Sequence, residues 1–166
     1  MKDAATPAEQ VGYPFRSRRA LRVVLIGPRE SVSMSGSDYV EHKSSLKFAE
    51  TVDILVDIIE KVGMNVFGKI DHGANAQDVG MHLPPSVVLL YGHARGGTPV
   101  MQAAPAAALD LPLRVLIRET ERGETLIAFH SAREVFGHHP VQPDLIERLA
   151  KAQQLLVGAI QSPARQ

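Results

Sequence analysis

The sequence predicts an α+β protein whose mostly antiparallel sheet of four to six strands carries two main helices on one face. Three observations support this prediction. Two segments have the apolar stripe of an amphipathic helix, and short apolar runs typical of strands lie between them. The connection Thr120–Gly123 is short and ends in glycine, which is typical of a hairpin between neighbouring strands.

The first helix follows a candidate strand between Tyr39 and Phe48. Its apolar residues recur with the i, i+3, i+4, i+7 spacing of a helix that lies on a core: Val52, Leu55, Val56, Ile59 and Val62. Thr51 is the predicted N-cap, because its hydroxyl can accept a backbone N–H. Gly63 stands where a left-handed residue commonly ends a helix. A helix is therefore expected between these two residues.

Four further strands are predicted downstream: Met64–Asp71, Val87–Tyr91, Leu113–Glu119 and Glu124–His130. The second of them is continuously apolar, which is typical of a strand buried on both faces or at the sheet centre. A second amphipathic helix begins near Pro143, a residue that suits the first turn. It closes the predicted domain.

The domain organisation predicted is an N-terminal arm over residues 1–37, with a short strand at Leu21–Ile26, and one α+β domain over residues 38–160. The apolar run in the arm is too short for the core of an export signal. Nowhere does the chain approach the roughly 20 apolar residues of a membrane span. No membrane partner is expected.

Composition excludes several classes of function. The 166 residues hold 18 Lys plus Arg against 18 Asp plus Glu, so no net charge attracts a phosphate backbone, and no nucleic-acid partner is expected. There is no cysteine, which removes disulfides, thiolate metal sites and cysteine nucleophiles. This usage fits a reducing compartment and predicts a cytoplasmic protein.

Two stretches, Asp71–Pro85 and Gly92–Pro112, are rich in glycine and proline and are predicted to be long loops. Ordered loops of this length are more often functional than ordinary connections are. Within the second, Val100–Ala108 is uncharged and rich in Ala and Met. Part of it is expected to be buried, either against the core or against a partner chain.

From about Tyr39 to His139 the chain resembles the bacterial and archaeal family called domain of unknown function 302. The pieces that carry the resemblance are Phe48-Ala-Glu-Thr-Val52, Val66-Phe-Gly-Lys-Ile-Asp-His72 with Ala76, Leu89-Leu-Tyr-Gly92, Gly97-Thr-Pro-Val-Met101, Pro105 and Leu109-Asp-Leu-Pro-Leu113. The resemblance implies a topology similar to the TATA-binding-protein repeat and a homodimer. It implies no reaction.

Asp71 and His72 form the first candidate site. An Asp–His pair can orient an imidazole as a base or supply two metal ligands. In the alternative interpretation, Asp71 caps the following loop by accepting backbone N–H groups and His72 packs beside the sheet.

The segment Gly92–Thr98 is the second candidate. Its glycines, including Gly97, let a backbone approach a ligand, and Arg95 with Thr98 can bind a carboxylate or phosphate. The segment lacks the lysine of a phosphate-binding P-loop. A tight connection or a dimer contact is the alternative interpretation.

The histidines are a third feature, but none of them form a helical i, i+4 pair: His42, His72, His82, His93, His130, His138 and His139. No metal ligand set, cofactor or catalytic residue is assigned. The leading hypothesis is a dimeric protein that binds a small molecule, either anionic or uncharged. Its predicted binding residues form one pocket: Asp71, His72, His93, Arg95, Gly97 and Thr98. The alternatives are an enzyme with His72 or His93 as general base, with or without a metal, and a protein-interaction module without a ligand.

Overall fold

Five antiparallel strands form one sheet in the computed structural model, which describes residues 39–161. The strands are β1 (Val40–Lys43), β2 (Asn65–Asp71), β3 (Ser86–Gly92), β4 (Leu113–Glu119) and β5 (Thr125–Phe129). Their order across the sheet is β1-β5-β4-β3-β2, so β4 is central and β1 and β2 are the edges. The predicted antiparallel sheet is confirmed, and so is the hairpin between β4 and β5, where Gly123 has a φ of 74°.

Two long helices, α1 (Phe48–Lys61) and α5 (Pro143–Gln161), pack against each other on one face of this sheet. Three shorter α-helices, α2 (His72–Asp78), α3 (Ala94–Ala103) and α4 (Ala132–Gly137), lie in the connections, as does a 3-10 helix, Pro105–Asp110. The two main helices are those predicted, because each carries a long apolar stripe that needs a sheet to cover it.

The core lies between the sheet and the two long helices. Alternate residues of β3, namely Val87, Leu89 and Tyr91, are buried there against residues such as Leu55 of α1 and Leu156 of α5. The residues between them are only partly buried, because within the described chain no helix covers the other face of the sheet. The strand is interior, but it is not buried on both faces.

Helix α1 begins one turn earlier than predicted, and β1 ends at Lys43 rather than continuing to Phe48. Lys47 is the N-cap, and its backbone N–H donates to the Glu50 carboxylate at 3.2 Å. Thr51 is fully buried inside the helix, with its hydroxyl 2.8 Å from that of Ser44. A buried hydroxyl partner therefore replaces the predicted cap. The left-handed Gly63 follows the helix as predicted, with a φ of 79°.

The second predicted loop is largely helical and the first is about half helical, so the prediction of two long loops was wrong. Helix α2 occupies half of the first stretch, and α3 with the 3-10 helix occupies most of the second. Val100, Ala104 and Ala107 are buried in the domain's own core. Burial of this face stabilises helices that the glycines and Pro99 disfavour locally. Part of the uncharged stretch is therefore buried against the core, which is one of the two expected outcomes.

A β-bulge interrupts β2 at Phe67. Val66 is paired with Tyr91 and Gly68 with the adjacent Leu90, so Phe67 is an extra residue in the strand. Its side chain is 58% exposed. The bulge lies at the end of β2 that borders the cavity described below.

The predicted arm and its strand at Leu21–Ile26 lie outside the described residues. Within residues 39–161, no helix combines the length and the apolar character that crossing a membrane requires.

Candidate functional site

Asp71 caps a helix at one end of the β2–β3 pair. Its Oδ1 accepts the backbone N–H of Ala74 at 2.9 Å and so begins α2. His72 is the first residue of that helix, and both side chains are exposed. This geometry matches the interpretation in which Asp71 satisfies backbone amides.

His93 has the corresponding role at the other end. Its Nδ1 accepts the backbone N–H of Arg95 at 2.9 Å, which makes it the N-cap of α3. Gly97 and Thr98 lie in the first half of the same helix. The segment expected to be a glycine loop is therefore a helix start.

The predicted single pocket does not form. In the β2–β3 pairing, Asp71 lies opposite Val87, whereas Gly92, the neighbour of His93, lies opposite Asn65. Six residue steps along a strand separate the two ends by roughly 20 Å. A strand pair has two ends, and the two motifs follow strands that run in opposite directions. Asp71 and His72 are therefore separated from His93, Gly97 and Thr98.

An apolar cavity of about 610 Å³ lies at the His93 end. Its walls come from the start of β2, the end of β3, the start of β4, and from α3, the 3-10 helix and α5. The apolar lining residues include Met64, Phe67, Met101, Leu111 and Leu149. The cavity therefore lies where six elements meet at one end of the sheet.

Three of the predicted binding residues line this cavity: His93, Gly97 and Thr98. Arg95 does not line it, although it belongs to the same helix. A cation is supplied instead by Arg148 of α5, whose Nη2 lies 3.3 Å from an Asp144 carboxylate oxygen. Both side chains of that pair are more than half exposed.

Tyr91 is a lining residue with an unusual environment. The side chain is buried, and its hydroxyl has no hydrogen-bond partner within residues 39–161. Burial raises the pKa of this phenol well above its usual range, because the charged form would lose its hydration. The phenol is thus neutral and buried, and its hydroxyl is not exposed to solvent.

Sequence reasoning missed Tyr91, Phe67 and Arg148. Tyr91 had a signal: it carries the only hydroxyl in the otherwise aliphatic run Val87–Tyr91. Phe67 enters the wall through the bulge, and Arg148 comes from a helix more than 50 residues further along the chain than His93. No local pattern marks either of those two.

The described histidines do not converge. Among residues 39–161, no group of three or more His, Asp or Glu side chains is arranged to hold a metal ion. His139 lies 3.7 Å from Asp110, and neither residue is among those that line the cavity.

Fold and site together define an antiparallel α+β domain with an apolar cavity at one end of its sheet. The chain belongs to the family described as domain of unknown function DUF302, whose model matches residues 40–162. A crystal structure of an uncharacterised conserved DUF302 protein from Bacillus stearothermophilus has the same fold. It superposes with a TM-score of 0.64 at 18% identity, covering 75% of this chain and 97% of the other.

Longer relatives are found in Brucella. Proteins named fluoride-specific ion channel FluC 1, from Brucella suis biovar 1 and Brucella abortus biovar 1, are each 38% identical to this chain over 128 residues. The match covers 77% of this chain but 50% and 47% of those proteins, so the chain spans about half their length.

Proposed function

We propose that the protein binds a small, mainly apolar molecule in the cavity between α3, α5 and the sheet. The observation that carries the proposal is the cavity itself. Its volume of about 610 Å³ falls within the range of ligand pockets, roughly 300–1,000 Å³. Most of its lining residues are apolar, and a few polar groups converge on it, which is the usual composition of such pockets.

Access supports the proposal as well. Phe67 and Ala108 line the cavity, yet both are exposed, so they lie where the cavity meets solvent. Water held against an apolar wall is displaced favourably by an apolar ligand. A concave apolar surface that solvent can reach is therefore suited to binding an apolar ligand.

A neutral fluorescent probe tests the proposal. N-phenyl-1-naphthylamine gains fluorescence in apolar surroundings, and the chain has no tryptophan to interfere. We expect saturable binding to the wild-type protein. The variant Ala108→Phe places a ring at the cavity mouth and should weaken binding at least tenfold. The matched control is Ala106→Phe, which alters an exposed alanine of the same 3-10 helix outside the lining and should bind as the wild type does.

Two results would contradict the proposal. One is the absence of saturable binding by the wild-type protein. The other is an equal loss in both variants, which would show that any ring on the 3-10 helix has the same effect. Circular dichroism of each variant checks that the helix content is unchanged.

Catalysis is the alternative that stays a prediction. His93 lines the cavity, but its Nδ1 accepts the Arg95 N–H and the proton of the neutral ring is on Nε2, so the ring could act as a base only after Nδ1 is released from the helix cap. His72 lies at the opposite end of the strand pair and belongs to no shared site with it. The proposal contains no reaction.

Dimerisation is a second proposal, and the uncovered face of the sheet favours it. We call this the open sheet face; its residues are Glu41, Gly68, Ile70, Val88, Leu90, Arg114, Leu116, Arg118 and Ala128. Within the described chain, no helix packs on it. An apolar row crosses the face through Val88, Leu116 and Ala128, with Arg114 on one side and the Arg118–Glu41 ion pair on the other, so a two-fold axis can pair the face with itself.

Light scattering at micromolar concentration tests the dimer. We expect a dimer that Leu116→Glu dissociates, because that leucine lies at the centre of the open sheet face. The control is Leu155→Glu, which alters a leucine on α5 that is 45% exposed and should leave the dimer intact. A monomeric wild-type protein would contradict the proposal.

Fluoride transport is not part of the proposal. It appears in the names of the Brucella relatives, and no residue of this site supports it. A cytoplasmic location is included, on the basis of the cysteine-free composition. Fractionation of cells that express the chain tests the location.

A further inference from the structure

We propose that the molecule bound in this cavity is an amphipathic carboxylate whose acid group lies between Arg148 and His93. This inference rests on the proposed binding function and specifies its ligand. It follows from the hydrogen-bonding character of two polar side chains in the lining, His93 and Arg148.

His93 presents a donor to a ligand. Its Nδ1 accepts the Arg95 N–H, and a nitrogen that accepts this bond carries no proton. The proton of the neutral ring is therefore on Nε2, which is the ring nitrogen left for a ligand.

Arg148 is the cation of the lining. A guanidinium has donors only and matches a carboxylate in a two-bond geometry. Its present partner, Asp144, is held by one long contact of 3.3 Å on an exposed stretch of helix. Such exposed pairs contribute little, so a ligand carboxylate can replace Asp144 at small cost.

The remaining lining contributes no counter-charge. Among the cavity residues of the described chain there is no aspartate or glutamate. Asp144 lies outside the lining and is already paired with Arg148, so a ligand amine would have to compete with the guanidinium for that carboxylate and would lie beside a positive charge. The cavity therefore discriminates by charge as well as by apolar surface.

The test compares three ligands with one apolar body: 4-phenylbutyrate, 4-phenylbutanol and 4-phenylbutylamine. Isothermal titration calorimetry should show that the acid binds the wild-type protein roughly fivefold more tightly than the alcohol, the gain expected of a partly exposed ion pair. The amine should bind more weakly than the alcohol.

Arg148→Met keeps the apolar stem and removes the charge, so it should remove most of the acid's preference over the alcohol. The matched control is Lys151→Met, which removes the same charge from an exposed position of α5 that does not line the cavity. It should leave the preference for the acid intact. His93→Asn retains an N-cap acceptor but lacks Nε2–H, and it should weaken the acid more than the alcohol.

The inference is overturned if the acid binds no more tightly than the alcohol, including the case in which neither binds. It is also overturned if Arg148→Met and Lys151→Met reduce the preference equally, because the effect would then belong to net charge. Binding of N-phenyl-1-naphthylamine separates these failures from failure of the proposed function. If that neutral probe binds while the acid shows no preference, only the ligand class is wrong.

Discussion

Asp71 and His93 cap two helices at opposite ends of the same strand pair. The Asp71 carboxylate accepts the Ala74 N–H at 2.9 Å, and His93 Nδ1 accepts the Arg95 N–H at the same distance. In each residue one polar side-chain atom accepts a backbone hydrogen bond, yet only His93 lines the cavity. The two residues therefore share a local role and differ in their relation to the site.

Asp71→Ala should cost about 1 kcal/mol of unfolding free energy, because it removes the N-cap of α2. Asp71→Asn keeps a side-chain oxygen and should lose much less. Urea unfolding followed by circular dichroism measures both. Neither variant should change the affinity for N-phenyl-1-naphthylamine, since the cavity lies at the other end of the strands. A tenfold loss of affinity in Asp71→Ala, with the fold intact, would contradict this prediction and indicate that Asp71 belongs to the binding site.

Tyr91→Phe should stabilise the protein by about 1 kcal/mol. The substitution removes a buried hydroxyl that has no partner among the described residues and keeps the ring that fills the core. The free energy of unfolding at pH 7 is the measurement. A clear loss of stability would mean that the hydroxyl is hydrogen-bonded in the native protein.

Alkaline pH should increase the difference in unfolding free energy between the wild-type protein and Tyr91→Phe. Burial raises the pKa of Tyr91 above its ordinary value of 10.0, so the native phenol stays protonated while the unfolded one ionises. The unfolded state then binds fewer protons, and stability falls as pH rises past 10, by at most about 1.4 kcal/mol per pH unit. Tyr91→Phe lacks this group, so its advantage over the wild type should grow between pH 9 and pH 11. An advantage that stays constant would contradict the raised pKa.

Gln153→Leu should cost about 2–3 kcal/mol. The buried amide accepts the Ala132 N–H at 2.9 Å and donates to the His130 carbonyl at 2.8 Å, which ties α5 to the start of α4. Its loss leaves the buried Ala132 N–H without the acceptor it has in the wild type. The matched control is Gln154→Leu, which changes the exposed neighbour and should stay within about 0.5 kcal/mol of wild type. Equal effects would remove the special role of the buried amide.

The sheet and the two long helices could be predicted because each carries its own periodic signal. Helices α2 and α3 could not be, because each has only one buried residue, Gly73 or Val100, and their glycines and prolines indicate loops. The cap at Lys47 was missed because a buried partner takes the Thr51 hydroxyl. Tertiary contacts determine the helical state of α2 and α3 and the N-cap of α1, and such contacts outweigh local conformational preference.

The candidate site was predictable only in part, for a related reason. His93, Gly97 and Thr98 could be selected because they are close in sequence and chemically distinct. The cavity itself is formed by residues from Met64 to Ala152, and only the folded chain brings them together. Grouping Asp71 with His93 failed because two motifs that each follow a strand lie at opposite ends when those strands are antiparallel.

Because Phe67 is an extra residue in the bulge, this part of the cavity wall does not depend on the strand pairing of the sheet. Val66 and Gly68 are already opposite the consecutive residues Tyr91 and Leu90, so the pairing of β2 would remain continuous without the residue between them. Every other side chain of the strand would keep its face. The size of this wall residue can therefore vary, or the residue can be lost, without a change of fold. In the evolution of such a domain, the shape of the cavity can change one residue at a time while the sheet stays constant.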